Sequence, residues 1–220
     1  MEPVRFGTED GVSLEGELRR PETPVGSAVV CHAHPRHGGS KDHPILWAIR
    51  IALAHRGFAV LGFNFRGVMG SGGTYGGGRD EVRDARAAIG VALERGGPPA
   101  VVVGWSFGAS VALREALDDD RVAALALVGF PLAPGDVELP ALPAQAELRI
   151  LARRPILLVA GENDPYCPPD RLREFGRQVG TADVEVVAGT DHYFWRREKE
   201  LARLIADFAD RLRSPAPGRT

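Results

Sequence analysis

The sequence predicts an α/β fold: a doubly wound, mostly parallel sheet of about eight strands, with an N-terminal antiparallel hairpin and helices on both faces. Short apolar runs alternate with stretches of helical periodicity along most of the 220 residues. The runs are apolar at consecutive positions, which is typical of strands covered by helices on each side. Right-handed crossovers in such a sheet place functional groups at the carboxyl ends of the strands.

The first element is the hairpin. Alternating residues 4–6 and 12–18 flank the turn-forming segment 7–11, and this pattern favours two antiparallel strands. The later strand candidates share short length and apolar character: residues 28–31, 59–63, 100–103, 122–128, 156–160 and 184–187.

Helices are predicted where apolar residues recur every three or four positions. These positions are Val82, Ala85, Ile89 and Ala92, then Leu172, Phe175 and Val179, and last Leu201, Leu204, Ile205, Phe208 and Leu212.

A single domain is predicted over residues 1–213, with 131–146 as its longest irregular stretch and 214–220 as a disordered tail.

Composition excludes several classes of function. A net charge of −2 gives no large positive field, so nucleic acid is not an expected partner. No apolar run approaches the roughly 18 residues of a membrane span, and the N-terminus lacks a signal-like apolar region, so a soluble, cytoplasmic protein is expected. Cys31 and Cys167 are expected to be free thiols. The oligomeric state is left open, with a homodimer as one alternative.

A candidate nucleophile follows the apolar run 100–103. Gly104, Trp105, Ser106, Phe107 and Gly108 form a G-x-S-x-G pattern before a helix-like segment. In a sharp strand-to-helix turn, the serine oxygen is lifted off the sheet edge, and flanking glycines let strand and helix approach.

A base and an acid follow two later strands. Asp164 lies in the loop after strand 156–160, and His192 lies in the turn after strand 184–187. A serine nucleophile needs such a base and an acid that orients it. The rival carboxylates are Glu162, Asp170 and Asp191, of which Asp170 is expected to be a helix cap.

Together with these motifs, two further segments carry a resemblance. His32, Ala33, His34 and Pro35 precede Gly38 and Gly39, and residues 63–67 read FNFRG. The chain resembles the α/β-hydrolase superfamily, and in particular its small, capless, dienelactone-hydrolase-like bacterial members. Ala33 stands where that branch often has proline.

The resemblance implies a serine hydrolase that cleaves carboxylic esters or thioesters through an acyl-enzyme intermediate, with Ser106, His192 and Asp164 as its triad. It also implies an oxyanion hole made by the backbone amides of Phe107 and His34. Residues 129–155 are too few for a cap domain, so an open pocket for a small-molecule substrate is expected, and no cofactor or metal.

Pocket walls are predicted from aromatic residues near these loops: Trp105, Phe130, Tyr166 and Trp195. Arg66 has two interpretations, as a binding group for a substrate carboxylate or as part of the fold.

Three other functions remain as alternatives. One is a peptidase of the same fold, and another is a non-catalytic interaction protein. The weakest is a metal-dependent hydrolase that uses His32, His34 and His37, with His43 beyond. The glycine-rich residues 70–78 lack the lysine of a phosphate-binding loop and are interpreted as a flexible pocket border.

Overall fold

A computed structural model describes residues 1–133 and 139–213. Within these ranges there are eight strands, numbered along the chain: β1 (Glu2–Gly7), β2 (Ser13–Arg19), β3 (Ser27–Cys31), β4 (Ala59–Phe63), β5 (Ala100–Trp105), β6 (Val122–Val128), β7 (Ile156–Gly161) and β8 (Ala182–Val187). They form one sheet in the order β1-β2-β4-β3-β5-β6-β7-β8.

The predicted fold class is confirmed by the strand directions. β1 and β2 form the antiparallel hairpin, and β2 pairs with β4 in the antiparallel sense. All other neighbouring strands are parallel. The hairpin therefore lies at one edge of the sheet, and β8 lies at the other.

Helices cover both faces of the sheet. The helices are α1 (Pro44–His55), α2 (Glu81–Gly96), α3 (Phe107–Asp118), α4 (Gln145–Leu151), α5 (Pro169–Val179) and α6 (Glu198–Asp210). Four of them, α2 to α5, pack on one apolar face of the sheet, and α1 and α6 pack on the other. Successive residues of a central strand point to opposite faces, so in β3 Val29 is buried in one layer and Val30 in the other.

One strand departs from the prediction of apolar residues on both faces. In β8, Asp183 and Glu185 are exposed and alternate with partly buried residues. The reason is its place at the sheet edge, where α5 covers one face of the strand and solvent reaches the other.

The described residues between β6 and β7 contain no cap domain; their one helix, α4, has seven residues. No helix in the described ranges has the length and apolar character needed to cross a membrane. The predicted disordered tail, residues 214–220, lies outside the described part of the chain. Cys31 and Cys167 are free and buried, and burial raises the pKa of both thiols, so neither is an activated nucleophile.

Candidate active site

Ser106 lies at the turn between β5 and α3. Its backbone has φ 55° and ψ −118°, a strained conformation for a residue with a side chain, and its N–H donates to Val128 O at 2.8 Å. The two flanking glycines are required by close approach. A Cβ on Gly104 would collide with the backbone of Gly108, and a Cβ on Gly108 would lie 2.5 Å from Cys31 O. The turn therefore presents Ser106 at the carboxyl end of the central strand.

Asp164 and His192 form a buried pair at the same edge. Asp164 follows β7 and His192 follows β8, and Asp164 Oδ2 lies 2.8 Å from His192 Nδ1. The other carboxylate oxygen, Oδ1, accepts hydrogen bonds from the backbone N–H groups of Tyr166 and Cys167, each at 2.9 Å. With both oxygens engaged, the carboxylate holds Nδ1 of His192 as the protonated nitrogen.

Ser106 and His192 line the same cavity, whose volume is about 250 Å³. The hydrogen bonds within the described ranges include none between their side chains, and none to His192 Nε2. Such a contact often forms only when substrate is bound. The second ring nitrogen of His192 is therefore available for proton transfer at this cavity.

Gly129 makes room for the pair and was missed by the sequence interpretation. It follows β6 with φ +54°, and a Cβ there would lie 3.0 Å from the His192 ring and 3.4 Å from Asp164 Oδ2. A glycine directly after a buried strand was the available signal.

The rival carboxylates have other roles. Glu162 is exposed, and its Oε2 accepts a backbone N–H at 2.8 Å. Asp191 Oδ1 accepts the N–H of Tyr193 at 2.9 Å. The interpretation of Asp170 as a cap was wrong: Pro168 is the N-cap of α5, and Asp170 lies in the first turn and makes no cap hydrogen bond.

The side-chain rings of the two predicted oxyanion donors pack against each other. Phe107 is the first residue of α3, so its N–H has no acceptor within the helix. His34 lies before a short 3-10 helix, and its ring centroid is 5.1 Å from that of Phe107. Tyr75, from the glycine-rich segment 70–78, brings its hydroxyl to 3.0 Å from His34 Nε2. The rings of His34, Tyr75 and Phe107 therefore form an aromatic cluster.

His32 braces the loop that carries His34. Its Nδ1 donates to Ala33 O at 2.6 Å, and its Nε2 accepts the N–H of Phe65 at 3.0 Å. The ring is fully buried, and burial lowers its pKa to about 4. Because both ring nitrogens bond to the backbone, His32 has no lone pair left for a metal. Among the described residues, no group of three or more His, Cys, Asp or Glu is placed to hold a metal ion.

Of the predicted pocket walls, Trp105 and Tyr166 line the cavity. Phe130 does not: its side chain is fully buried, with its ring 5.0 Å from that of Phe175, so it belongs to the core. Trp195 is 58% exposed and lies outside the lining, beside His43.

Arg66 does not bind substrate in this structure's geometry. Its buried guanidinium donates to Asp84 at 2.7 and 2.9 Å and to Asp10 at 2.9 and 3.1 Å. These two carboxylates engage all three guanidinium nitrogens, so the interpretation of Arg66 as part of the fold is the one the structure supports.

The alpha/beta hydrolase domain family model matches residues 26–211. The chain belongs to the alpha/beta hydrolase family.

This alpha/beta hydrolase is 26% identical to an uncharacterized protein of Rickettsia prowazekii, over 97% of this chain and 91% of that protein. It is similar to the structure of an alpha-beta serine hydrolase homologue from Coxiella burnetii, with 27% identity, a TM-score of 0.80 and coverage of 94% and 96% of the two chains. It shares the fold of a Xanthomonas campestris serine hydrolase without a lid, with 24% identity, a TM-score of 0.77 and coverage of 98% and 96%.

Several cavity residues of this alpha/beta hydrolase were not singled out as pocket walls from the sequence. They come from loops after different strands, and local sequence carries no signal of which loop side chains turn toward a shared cavity. Those with side chains are Ala33, His37, His43, Pro131, Leu139 and Tyr193.

Proposed function

We propose that this alpha/beta hydrolase is a serine hydrolase that cleaves carboxylic esters or thioesters through an acyl-enzyme intermediate. One observation carries the proposal: the 2.8 Å contact between Asp164 Oδ2 and His192 Nδ1, made at the wall of the cavity that Ser106 also lines. A strained serine that shares a cavity with a histidine oriented by a buried carboxylate is an arrangement that can activate a hydroxyl.

In the first half of the reaction, His192 Nε2 removes the proton of Ser106 Oγ, which bonds to the substrate carbonyl carbon. The carbonyl oxygen takes the negative charge and receives hydrogen bonds from the N–H groups of Phe107 and His34. Asp164 stabilises the imidazolium. His192 then gives its proton to the leaving oxygen or sulfur as the bond to the acyl carbon breaks.

In the second half, water replaces the alcohol or thiol. His192 takes a proton from the water, whose oxygen bonds to the acyl carbon, and the same amides hold the oxyanion. As the bond to Ser106 Oγ breaks, His192 returns the proton to that oxygen and the carboxylic acid leaves. A cavity of about 250 Å³ is at the small end for ligand sites, which favours small acyl groups.

Active-site labelling tests the proposal. A fluorophosphonate probe should label the wild-type protein and fail to label Ser106→Ala. Ser110→Ala is the matched control, because Ser110 is a buried serine one turn later in α3 and outside the cavity lining. Unlabelled wild-type protein would overturn the acyl-enzyme mechanism and favour a non-catalytic role.

Hydrolysis of p-nitrophenyl acetate distinguishes the proposed serine hydrolase from a metal-dependent hydrolase. Turnover should vanish in Ser106→Ala and survive treatment with a chelator. Turnover that a chelator abolishes and that Ser106→Ala retains would favour a metal-dependent hydrolase instead.

A further inference from the structure

Four aromatic rings form a closed set, of which three line the cavity and the fourth, Trp195, extends the set beyond the lining; we call His43, Trp105, Tyr193 and Trp195 the ring cluster. The ring centroids of Trp105 and His43 are 4.4 Å apart, and those of His43 and Trp195 are 6.4 Å apart. Tyr193 completes the set at 6.3 Å from Trp195 and 6.1 Å from Trp105. These distances lie at the range of favourable aromatic pairs, so the rings form one continuous apolar surface.

The backbone after β8 exposes two of these rings. Phe194 is fully buried in the apolar layer beneath α1 and α6, and it adopts φ 53°. Arg196 adopts φ 63°. With Phe194 turned into the core, the residues on either side turn outward: Tyr193 is 43% exposed and Trp195 is 58% exposed. Left-handed backbone at two residues that are not glycine is costly, so the packing of Phe194 fixes this arrangement.

The ring cluster lies beside the general acid. Trp105 Nε1 donates to His192 O at 3.2 Å. The ring centroid of His192 is 5.9 Å from that of Trp105 and 5.7 Å from that of Tyr193. Burial lowers the pKa of His43, so its ring is uncharged at neutral pH and packs as an aromatic surface.

The proton transfer by His192 decides which part of a substrate lies at the ring cluster. His192 must give its proton to the leaving oxygen, so that oxygen lies within hydrogen-bond reach of Nε2. The substituent it carries therefore extends from the reaction centre on the His192 side. The carbonyl oxygen is a separate substituent of the reacting carbon, and the proposed mechanism directs it to the N–H groups of Phe107 and His34.

We propose that the ring cluster is a leaving-group subsite that binds the aromatic ring of the substrate's alcohol or thiol, so that the enzyme prefers arylmethyl esters or thioesters. This rests on the acyl-enzyme function proposed above. Large aromatic side chains exposed at the mouth of a cavity mark a surface that a ligand covers, and ring stacking distinguishes an aromatic occupant from an aliphatic one.

A pair of acetates isolates the leaving group. Benzyl acetate and cyclohexylmethyl acetate form the same acetyl-enzyme, are both esters of primary alcohols and have six-membered rings of similar size. Methyl phenylacetate carries its aromatic ring on the acyl side. The wild-type enzyme should show a kcat/KM for benzyl acetate about threefold to tenfold above that for cyclohexylmethyl acetate, which corresponds to the usual strength of an aromatic pair.

Trp195→Ala tests the surface itself. Trp195 is largely exposed, so the change should not unfold the protein, and it should bring the kcat/KM for benzyl acetate close to that for cyclohexylmethyl acetate. Trp47→Ala is the matched control, because Trp47 is a 40% exposed tryptophan of α1 outside the cavity lining; its ratio should match that of the wild type.

Three results would overturn the subsite: equal wild-type rates on the two acetates, a ratio that Trp195→Ala leaves unchanged, or a loss in Trp195→Ala confined to methyl phenylacetate. Fluorophosphonate labelling of each preparation separates the two proposals. Labelled protein with the wrong ratio overturns the subsite alone, whereas unlabelled wild-type protein overturns the acyl-enzyme function and the subsite with it.

Discussion

His32 and His192 are both buried at the carboxyl edge of the sheet, yet their ring nitrogens are used differently. His32 bonds through both nitrogens to the backbone, at Ala33 O and Phe65 N. His192 bonds through Nδ1 to Asp164, and its Nε2 has no partner in the described ranges. Burial alone therefore does not decide the role of a histidine. A ring whose two nitrogens both bond to the backbone acts as a brace, whereas His192 keeps one nitrogen for the role of base proposed above.

The largest expected effect is the loss of kcat when His192, the proposed base, is replaced. His192→Ala should lower kcat for p-nitrophenyl acetate by about 10⁴- to 10⁶-fold, because the variant lacks the base proposed to take the Ser106 proton. Circular dichroism should show an unchanged fold. His55→Ala is the control, since His55 is exposed at the end of α1, and should keep wild-type turnover. Retained turnover in His192→Ala would show that His192 is not the base.

Next is the carboxylate that distinguishes the two histidines. Asp164→Asn should lower kcat by about 10³- to 10⁴-fold, because an amide favours the wrong His192 tautomer and does not stabilise the imidazolium. Asp191→Asn, a change to the rival carboxylate on the neighbouring turn, should lower kcat far less. Equal losses in the two variants would remove Asp164 from its assigned role.

A smaller effect is expected at the brace. His32→Ala should lower kcat on the order of 10²-fold with little change in KM, because the loop that carries His34 loses its tie to the end of β4 and the oxyanion donor moves. His32→Gln, whose amide can both donate and accept, should recover part of kcat. A loss in His32→Ala as large as that in His192→Ala would show that the two histidines share one role.

The smallest effect is on stability and depends on pH. The pKa of His32 falls from an ordinary 6.5 to about 4 in the folded protein. As the pH falls, the unfolded chain therefore binds a proton on His32 before the folded protein does. The contribution of neutral His32 to the free energy of unfolding is complete above pH 6.5 and is lost as the pH falls toward 4. At pH 5 the loss should be about 2 kcal/mol, at 1.36 kcal/mol per pKa unit.

Urea unfolding of wild type and His32→Gln at pH 7.5 and pH 5 measures that loss. The difference between the two proteins cancels other titrating groups, including Glu115, whose pKa is raised to about 7 by burial and which acts in the opposite direction. The free energy of unfolding should fall more in the wild type than in the variant. An equal fall would show that His32 is not held neutral by the fold.

Most of the fold could be predicted because hydrophobic periodicity reports burial directly. The strands 100–103 and 156–160 are apolar at every position, and β5 and β7 contain them. β8 was described less well, because a run such as Val184 to Val187 does not reveal that its strand lies at an edge. Periodicity records which residues are buried but not what covers them.

The site could be predicted in part. Ser106, Asp164 and His192 each follow a strand, and carboxyl ends of parallel strands meet at one edge, where the structure places all three. Phe130 also follows a strand, yet it turns into the core against Phe175, and His43 lies at the start of α1 and reaches the cavity. The direction of a loop side chain depends on contacts far away in sequence.

The order of the elements, the serine between two glycines, and the carboxylate and histidine after later strands could be predicted from the chain, because burial patterns and turn chemistry are local. Folding leaves Nε2 of His192 without a hydrogen bond in the described part of the chain, holds Arg66 between Asp10 and Asp84, and brings four rings together beside His192. Each of these depends on distances between segments that the chain brings together only by folding.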